Sequence, residues 1–159
     1  MNQIILHLGS NQGLRHRQLL RARQLLGVRV GSEIKCSSCY ETSAWGLEDQ
    51  PDFLNIALLL HSPLSALEVL GACQSIENEM GRQRLVHWGP RSIDIDVLAY
   101  NDAILQTPQL TLPHPHLQDR RFVLVPLAEI LPDWPHPVLQ KTARELLAQC
   151  PDEGGVRKV

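Results

Sequence analysis

The sequence predicts an α+β fold in which helices pack on a mostly antiparallel sheet. Strand-like runs and helical patterns alternate along the 159 residues in the order β-α-β-β-α-β-β-α-α. No internal repeat with a period of about 20 to 50 residues is visible. The length and the 43% apolar content fit a single globular domain over residues 1–159.

The first part of the chain predicts three strands and one helix. Gln3–Leu8 is a short apolar run that ends in Gly-Ser-Asn, a turn signal. Apolar residues at helical spacing over Leu14–Leu26 predict a helix that ends at Gly27. Ser32–Ser43 is rich in Ser, Cys, Thr and Tyr and is predicted as a strand, and Phe53–His61 is the strongest strand candidate.

A second helix and two further strands are predicted next. Ser62 is the expected N-cap and Pro63 the first helical residue, because these positions favour those residue types. Ser92–Tyr100 is predicted as a strand. Asn101–Asp102 is predicted as a hairpin turn into a short strand over Ala103–Gln106.

The last part of the chain predicts two helices and a loose tail. Asp119 is the expected N-cap of a helix predicted to run to Ile130. Pro126 inside this helix favours a break or a late start. Thr142 and Glu145 form a capping-box pattern for a short final helix. The tail from about Pro151 is expected to be loose.

Composition argues against several classes of protein. The net charge of −2 and the pI near 6.4 show no bias toward nucleic acid or anionic membranes. No apolar run approaches the roughly 20 residues that span a bilayer. Gly9 and Ser10 cut the first apolar run short, so we expect no signal peptide and a cytoplasmic protein with reduced cysteines. We expect a monomer whose partners are small molecules.

Two carboxylates on one predicted strand are the strongest functional signal. Strand side chains alternate between faces, so Asp94 and Asp96 should share one face while Ile93, Ile95 and Val97 share the other. The two acidic residues would then lie roughly 7 Å apart at their Cα atoms. A divalent cation would relieve the repulsion between them.

Cationic residues lie immediately before this strand. Between Met80 and Ile93 the chain contains no acidic residue but several basic ones, namely Arg82, Arg84, His87 and Arg91. Arginines form bidentate contacts with phosphate oxygens. A basic segment beside a candidate metal site therefore indicates a polyphosphate ligand.

The most specific motif of the chain is the run His-Trp-Gly-Pro-Arg-Ser-Ile-Asp-Ile-Asp-Val-Leu over His87–Leu98. Further motifs are Leu8–Asn11, Tyr40–Thr42, Gln50–Asn55, Ile76–Glu77, Gly81–Arg82, Leu112–His114, Arg120 and Phe122. Together, and in this order along nearly the whole chain, these motifs resemble the 6-hydroxymethyl-7,8-dihydropterin pyrophosphokinase family.

The resemblance implies a ferredoxin-like α+β fold and an enzyme of folate biosynthesis. The family moves the β,γ-pyrophosphate of ATP to the hydroxymethyl oxygen of the pterin and releases AMP. The resemblance also implies two Mg²⁺ ions held by Asp94 and Asp96, because magnesium prefers carboxylate oxygens, substrate phosphates and water. The catalytic residues it implies are Arg82, Arg91, Asp94 and Asp96, with Arg82 as the mobile one.

The same resemblance implies two sets of binding residues. Those that match ATP-binding positions are Leu70, Gln74, Arg82, Arg84, His87, Arg91, Val97, Thr111, His114 and Arg120. Those that match pterin-binding positions are Thr42, Ser43, Trp45, Phe53, Asn55, Trp88, Asp94 and Phe122. The segments Ala44–Pro51 and Gln83–Pro90 are expected to move over the bound substrates.

The basic segment departs from the family pattern. It is one residue shorter between Arg84 and Trp88, and Leu85 stands at the place of a Lys. His87 stands where an Arg is common, and a neutral histidine binds phosphate less well than an arginine. We therefore expect weaker ATP binding and a more pH-sensitive rate than in a fully equipped homologue.

Three alternatives are open from the residues alone. The acidic pair could serve another magnesium-dependent nucleotide transferase or hydrolase. Because the Lys is missing, the chain could also bind pterin or nucleotide without turnover. An RNA-binding module on a similar fold is the third alternative, and the negative net charge and seven aromatic residues argue against it.

Overall fold

The computed structural model describes residues 1–43, 51–81 and 93–159. A 3₁₀ turn at Leu117–Asp119 precedes the third helix. In chain order the other elements are β1 (Asn2–Ser10), α1 (Arg15–Arg29), β2 (Ser32–Cys36), β3 (Tyr40–Thr42), β4 (Phe53–Ser62), α2 (Ala66–Glu79), β5 (Asp94–Tyr100), β6 (Leu105–Gln106), β7 (Thr111–Leu112), α3 (Arg121–Ile130), α4 (Ala143–Ala148) and β8 (Val156–Lys158).

The main sheet has the strand order β5-β1-β4-β3-β8, and β2 also pairs with β4. Each of these pairings is antiparallel. Taken as one broken strand, β2 and β3 complete a β-α-β-β-α-β unit in which β1 and β4 are central, which is the ferredoxin-like arrangement. The predicted α+β fold with a mostly antiparallel sheet is confirmed.

The sheet is covered on both faces. Helices α1 and α2 pack on one face over a cluster that includes Leu6, Leu58 and Ile95. Helices α3 and α4 pack on part of the other face over a cluster that includes Ile5 and Leu59. A central strand covered on both sides is apolar almost throughout, and this explains the long apolar runs of β1 and β4.

Helix α2 begins three residues later than predicted. Ser65 is its N-cap and forms a capping box with Glu68. Ser62 instead ends β4, where its buried hydroxyl donates to the carbonyl of Val30 and accepts from the N–H of Leu64. The prediction of Ser62 as N-cap is therefore wrong, because pairing of β4 with β1 extends through this residue.

The strand predicted over Ser32–Ser43 is broken into β2 and β3. At the break, Ser37 N–H donates to the carbonyl of Ala57 at 3.0 Å, and the Ser37 hydroxyl accepts from Ala57 N–H at 2.9 Å. One serine thus provides both the backbone donor and a side-chain acceptor to β4. This local hydrogen bonding competes with a regular ladder.

Smaller differences concern the ends of elements. Helix α1 continues past Gly27 to Arg29. The turn at Asn101–Asp102 is present, but β6 pairs with β7, so the predicted hairpin with β5 is wrong. Helix α3 has Arg120 as its N-cap and contains Pro126, so neither the predicted cap nor the break holds.

In the final segment, the last helix begins as predicted but the tail after it does not behave as predicted. The capping box of Thr142 and Glu145 on α4 is confirmed. The prediction of a loose tail is wrong, because β8 pairs with β3. Glu41 of β3 also forms ion pairs with Arg157 of β8 and with Arg15 of α1, the latter at 2.9 Å.

In the described part of the chain, no helix is long and apolar enough to cross a membrane. The four cysteines of the chain, Cys36, Cys39, Cys73 and Cys150, are free thiols.

Candidate active site

One end of the sheet face that carries α3 is lined mainly by polar side chains. Strand register brings them together, since residues directly opposite in an antiparallel pair share a face. Gly9 is opposite both Asp94 and Asn55, His7 is opposite Asp96, and Thr42 is opposite Phe53. We call this surface the site face, and it consists of His7, Gly9, Thr42, Phe53, Asn55, Asp94 and Asp96.

The acidic pair lies as the alternation predicts. Asp94 and Asp96 are half-buried on the site face, whereas Ile95 and Val97 are buried on the opposite face under α1 and α2. The predicted separation of carboxylates from apolar residues is thus confirmed. It follows that the side chain of Val97 does not share a face with the carboxylates.

Strand β5 is the edge of the sheet, and its outer backbone groups have partners from other elements. Glu77 of α2 is 4% exposed, and its Oε2 accepts from the N–H of Ile95 at 2.8 Å. The N–H of His114 donates to the carbonyl of Leu98 at 2.9 Å. These contacts hold the strand segment that carries both carboxylates, since Ile95 lies between Asp94 and Asp96.

Glu77 has no predicted role, although the sequence contains a signal for one. Glu77 follows Val69, Cys73 and Ile76 on the buried side of α2. A carboxylate at a buried helical position requires a hydrogen-bond donor. The sequence alone could not identify that donor as a backbone group of β5.

Hydrogen bonds fix the Asn55 side chain in the middle of the site face. Its Nδ2 donates to Thr42 Oγ1 at 2.9 Å and to the carbonyl of Tyr40 at 3.3 Å. Asn55 is 2% exposed, so these bonds are shielded from water. The amide also lies close enough to His7 on the neighbouring strand to influence the pKa of its imidazole.

His7 was not among the predicted site residues. It is 4% exposed, and burial lowers its pKa to about 4, so its imidazole is neutral near pH 7. Its Nε2 has no hydrogen-bond partner among the described residues. Gly9, on the same face of β1, has no side chain, and a Cβ there would lie 3.4 Å from Asn55 Oδ1 and 3.5 Å from Phe53 Cδ1.

The start of α3 brings further predicted residues to the site face. The ring of Phe122 lies edge-on to His7, with centroids 5.6 Å apart, and the Arg120 guanidinium lies 5.9 Å from the Phe122 centroid. Arg120 and His114 are also close enough to His7 to influence its pKa. At the other end of α3, Glu129 accepts from the hydroxyl of Tyr40 and from Ser38 N–H, which ties the helix to β3.

His114 lies at the border between the site face and the outer edge of β5. Burial lowers the pKa of His114 to about 4, and the nearby Arg120 and His116 act in the same direction. Its Nδ1 accepts from the N–H of His116 at 3.1 Å, which orients the ring. The imidazole is therefore neutral near pH 7.

The remaining predicted residues occupy other places. Leu70 on α2 and Val97 on β5 pack in the cluster behind the sheet, and Gln74 is exposed on α2. Thr111 is half-buried on β7, and Ser43 is exposed at the end of β3. Arg82, Arg84, His87, Trp88, Arg91 and Trp45 lie outside the described residues, as do the segments 44–50 and 83–90.

The donor set suits a metal that is shared with a substrate. Within the described ranges, no group of three or more His, Cys, Asp or Glu side chains is close enough to hold a metal ion. Asp94 and Asp96 together supply only carboxylate oxygens. This matches magnesium, which commonly takes one or two carboxylates and completes its octahedron with phosphates and water.

Comparison with known families gives a match over most of the chain. The model of the family described as 7,8-dihydro-6-hydroxymethylpterin-pyrophosphokinase (HPPK) matches residues 5–132. The 2-amino-4-hydroxy-6-hydroxymethyldihydropteridine pyrophosphokinase of Bacillus subtilis is 43% identical over 159 residues, covering 99% of this chain and 90% of that protein. The Aquifex aeolicus protein of the same name is 41% identical over 145 residues, covering 91% and 90%.

Solved structures share the fold at lower identity. A crystal structure of Plasmodium falciparum HPPK-DHPS with pteroate has a TM-score of 0.76 at 18% identity and matches 93% of this chain. A structure described as HPPK-DHPS in complex with substrates has a TM-score of 0.73 at 16% identity. The chain spans 42% and 43% of the length of these two solved chains, and a likeness at such identity concerns the fold alone.

Proposed function

This chain belongs to the 7,8-dihydro-6-hydroxymethylpterin-pyrophosphokinase family, and from that premise we propose that the site face and the adjoining edge of β5 form its active site. The chain is an ATP-dependent pyrophosphokinase of folate synthesis: it transfers pyrophosphate from ATP to the hydroxymethyl group of 6-hydroxymethyl-7,8-dihydropterin, and AMP is the other product. The observation that carries the location is the row Asp94, Gly9, Asn55 across three strands, which places an acidic and an amide side chain on either side of a residue without a side chain.

We propose that Asp94 and Asp96 hold two Mg²⁺ ions together with the triphosphate of ATP. The two carboxylates share one face at the edge of the sheet, where a charged ligand can approach from solvent. When bound, the ions neutralise phosphate charge and polarise the attacking and leaving oxygens. The contribution of the chain is to hold the two carboxylates in place, through Glu77 on one side of β5 and β1 on the other.

The middle of the site face suits the pterin. A flat heterocycle requires aromatic contacts on its faces and hydrogen-bonding groups at its edge. Phe53 and Phe122 offer the aromatic contacts, and Asn55 with Thr42 offers the polar groups. Gly9 adds no side chain between them, and a Cβ there would lie at contact distance from Asn55 and Phe53. Ser43, Asp94, Trp45 and Trp88 are proposed from the family pattern as further pterin contacts.

The edge of β5 suits ATP. Arg120 and His114 lie between the site face and this edge, so we assign them to the phosphates. Leu70, Gln74, Val97 and Thr111 lie on α2, β5 and β7, the elements around the same edge, and we assign them to the nucleoside. The roles of Arg82, Arg84, His87 and Arg91 on the triphosphate, with Arg82 and Arg91 catalytic, stay predictions from the sequence.

This arrangement performs the transfer chiefly by positioning. The hydroxymethyl oxygen attacks the β-phosphorus and its proton passes to solvent, while the bond from that phosphorus to the oxygen shared with the α-phosphate breaks and AMP leaves with the bonding electrons. Such transfers need little covalent help from the protein, because alignment and charge stabilisation supply most of the rate. Asn55 and the two phenylalanines orient the acceptor, and the acidic pair and basic residues orient the donor.

The direct test is product analysis. The purified chain is incubated with ATP, Mg²⁺ and 6-hydroxymethyl-7,8-dihydropterin, and nucleotides are separated by chromatography. We expect AMP only when the pterin is present. Release of ADP or phosphate without pterin, or tight binding of both substrates without turnover at saturating Mg²⁺, would contradict the proposal. A monomeric state and a cytoplasmic location stay predictions, which sedimentation and cell fractionation can test.

A further inference from the structure

We propose that Arg15 is a positioning residue of the pterin site: from behind the sheet it holds together the ends of β3 and β4 that carry Thr42 and Phe53. The proposal deepens the function proposed above and rests on it, since these two residues are assigned there to the polar edge and to an aromatic contact of the pterin. It gives a role to a charged side chain that lies outside the site face.

One nitrogen of the Arg15 guanidinium contacts both strand ends. Arg15 is the first residue of α1, and its Nη1 lies 2.9 Å from Glu41 Oε2 on β3. The same Nη1 donates to the carbonyl of Asp52, immediately before β4, at 2.8 Å. The side chains of Arg15 and Glu41 are 27% and 14% exposed, so water screens this ion pair less than a fully exposed one.

These two contacts lie on either side of the last described pair of the β3–β4 ladder. In that pair Thr42 is opposite Phe53. Glu41 precedes Thr42 and Asp52 precedes Phe53, so the contacts of Arg15 cross the pair diagonally. The end of a short strand opens more easily than its middle. An additional link at this point therefore opposes separation of the two residues.

Arg15 acts from the face of the sheet that is opposite the ligand. Side chains alternate along β3, so those of Glu41 and Thr42 are on opposite faces. Thr42 is on the site face, where its Oγ1 accepts from Asn55 Nδ2 at 2.9 Å. Glu41 is on the face of α1, where it meets Arg15. Arg15 can therefore influence the pterin only through the two strands.

The helix itself gives no reason for a cation at its first residue. The N-terminus of a helix carries partial positive charge, so an arginine there is unfavourable for α1. The N-cap of α1, Leu14, provides no side-chain hydrogen bond to offset this. The contacts with Glu41 and Asp52 provide the compensating interaction, and they belong to the sheet and not to the helix.

Loss of this link should affect pterin and ATP differently. Thr42 Oγ1 is one of two acceptors for the Asn55 amide, so displacement of Thr42 would also loosen Asn55. A site whose groups must be ordered by the ligand binds it more weakly. The residues assigned to ATP lie around β5, which pairs with β1 and not with β3. The expected signature is therefore weaker pterin binding with unchanged ATP binding.

Calorimetry on the full chain tests this signature with Arg15→Met, which keeps an apolar stem but removes the donors. The dissociation constant of 6-hydroxymethyl-7,8-dihydropterin is measured at saturating Mg²⁺ and non-hydrolysable ATP analogue, and that of the analogue is measured separately. We expect the pterin dissociation constant to rise roughly 3- to 10-fold, the effect of about one hydrogen bond. The dissociation constant of the analogue should be unchanged.

The pair Arg23–Glu33 offers a matched control. It also joins α1 to a strand of the same sheet, at 2.9 Å, and its side chains are 35% and 29% exposed. That strand, β2, carries none of the residues of the site face. Arg23→Met should leave both dissociation constants unchanged even where it lowers the unfolding temperature.

Two further measurements separate positioning from a general loss of stability. A lysine ammonium has three donors on one nitrogen, so Arg15→Lys should keep most of the wild-type pterin affinity. The second measurement is a double-mutant cycle with Thr42→Val. If Arg15 acts through Thr42, Arg15→Met should weaken pterin binding less in the Thr42→Val background than in wild type.

The outcomes distinguish this role from the proposed function. Arg15→Met with the wild-type pterin affinity, with an equal loss of affinity for pterin and analogue, or with an effect fully additive with Thr42→Val would overturn the role of Arg15. A loss confined to the pterin, retained affinity in Arg15→Lys and a smaller effect in the Thr42→Val background would support it. A wild-type chain that binds no pterin would instead overturn the proposed function.

Discussion

The two proposed halves of the active site are built on different parts of the same sheet. The pterin half lies on the central strands β1 and β4, where Asn55 and His7 are buried and the Asn55 amide is hydrogen-bonded to Thr42. The nucleotide half lies at the edge strand β5, where Asp94 and Asp96 are half-exposed. In the central half the side chains are held by contacts within the protein. The edge half instead carries negative charges that require a bound cation, together with the phosphates of the substrate. Substitutions at the edge should therefore affect turnover, and substitutions at the centre should affect pterin affinity and stability.

The largest effect is expected at the edge, for Asp96→Asn. Removing this charge leaves one carboxylate for the proposed magnesium ions, so turnover should fall on the order of 10³-fold. Pterin binding measured without metal should change little. Asp102→Asn, in the exposed turn after β5, is the control and should keep wild-type turnover. Steady-state rates measured against Mg²⁺ concentration test this prediction. Near-normal turnover of Asp96→Asn would show that Asp96 is not part of the metal site.

A similar loss is expected for Arg82→Ala, which tests the part of the nucleotide half predicted from the sequence alone. An arginine that stabilises charge in phosphoryl transfer contributes on the order of 10³-fold or more to turnover. Single-turnover kinetics should show this loss, while the dissociation constant of the pterin stays close to wild type. Arg17→Ala, on the exposed side of α1, serves as the control. Equal turnover of the two variants would contradict the assignment.

The central half should make the fold sensitive to acid. The pKa of His7 falls from 6.5 to about 4 in the folded chain because the ring is buried. Between these values the unfolded chain binds the proton and the folded chain does not, so stability decreases as the pH falls from 6.5 to 4. A shift of this size corresponds to on the order of 3 kcal/mol. His114 should add a smaller loss of the same sign, because its pKa is lowered in the same direction but its ring is only half-buried.

Urea unfolding at pH 7 and pH 5 measures this effect. The free energy of unfolding of wild type should decrease more between the two pH values than that of His7→Asn, whose side chain does not titrate. His16→Asn, on the exposed side of α1, should show the wild-type decrease. If His7→Asn loses as much stability as wild type, other groups cause the acid sensitivity.

The two halves also differ in how far the sequence could predict them. The alternation over Ile93–Val97 is a local pattern, so it placed both carboxylates on one face without knowledge of the neighbouring strands. His7 stands out in the sequence only as a polar residue in an apolar run. Its position near Asn55 depends on the register between β1 and β4. The two residues are 48 positions apart in the sequence, so no local sequence pattern could predict that they are neighbours.

The wrong predictions have the same origin. Ser62 and Ser65 are both good N-caps by local rules, and the pairing of β4 with Asn2 decides between them. The short segment Val156–Lys158 forms a strand because β3 offers an unpaired edge and Glu41 attracts Arg157. Both outcomes depend on tertiary contacts, which override weak local preferences.

The smallest effect is expected for Gly9→Ala, at the point where the two halves meet. Gly9 has no left-handed backbone, and the added methyl would lie 3.4 to 3.8 Å from Asn55, Phe53 and His7, at ordinary contact distances. The fold should therefore tolerate it, and the unfolding temperature should stay near wild type. The methyl would nevertheless occupy part of the space proposed for the pterin, so pterin affinity should fall about tenfold, equivalent to about 1.4 kcal/mol. ATP-analogue binding should be unchanged.

Gly27→Ala, whose Cβ meets nothing within 4 Å, is the matched control for calorimetry. If Gly9→Ala binds the pterin as wild type does, the pterin does not lie over Gly9, and the division of the site between centre and edge would have to be redrawn.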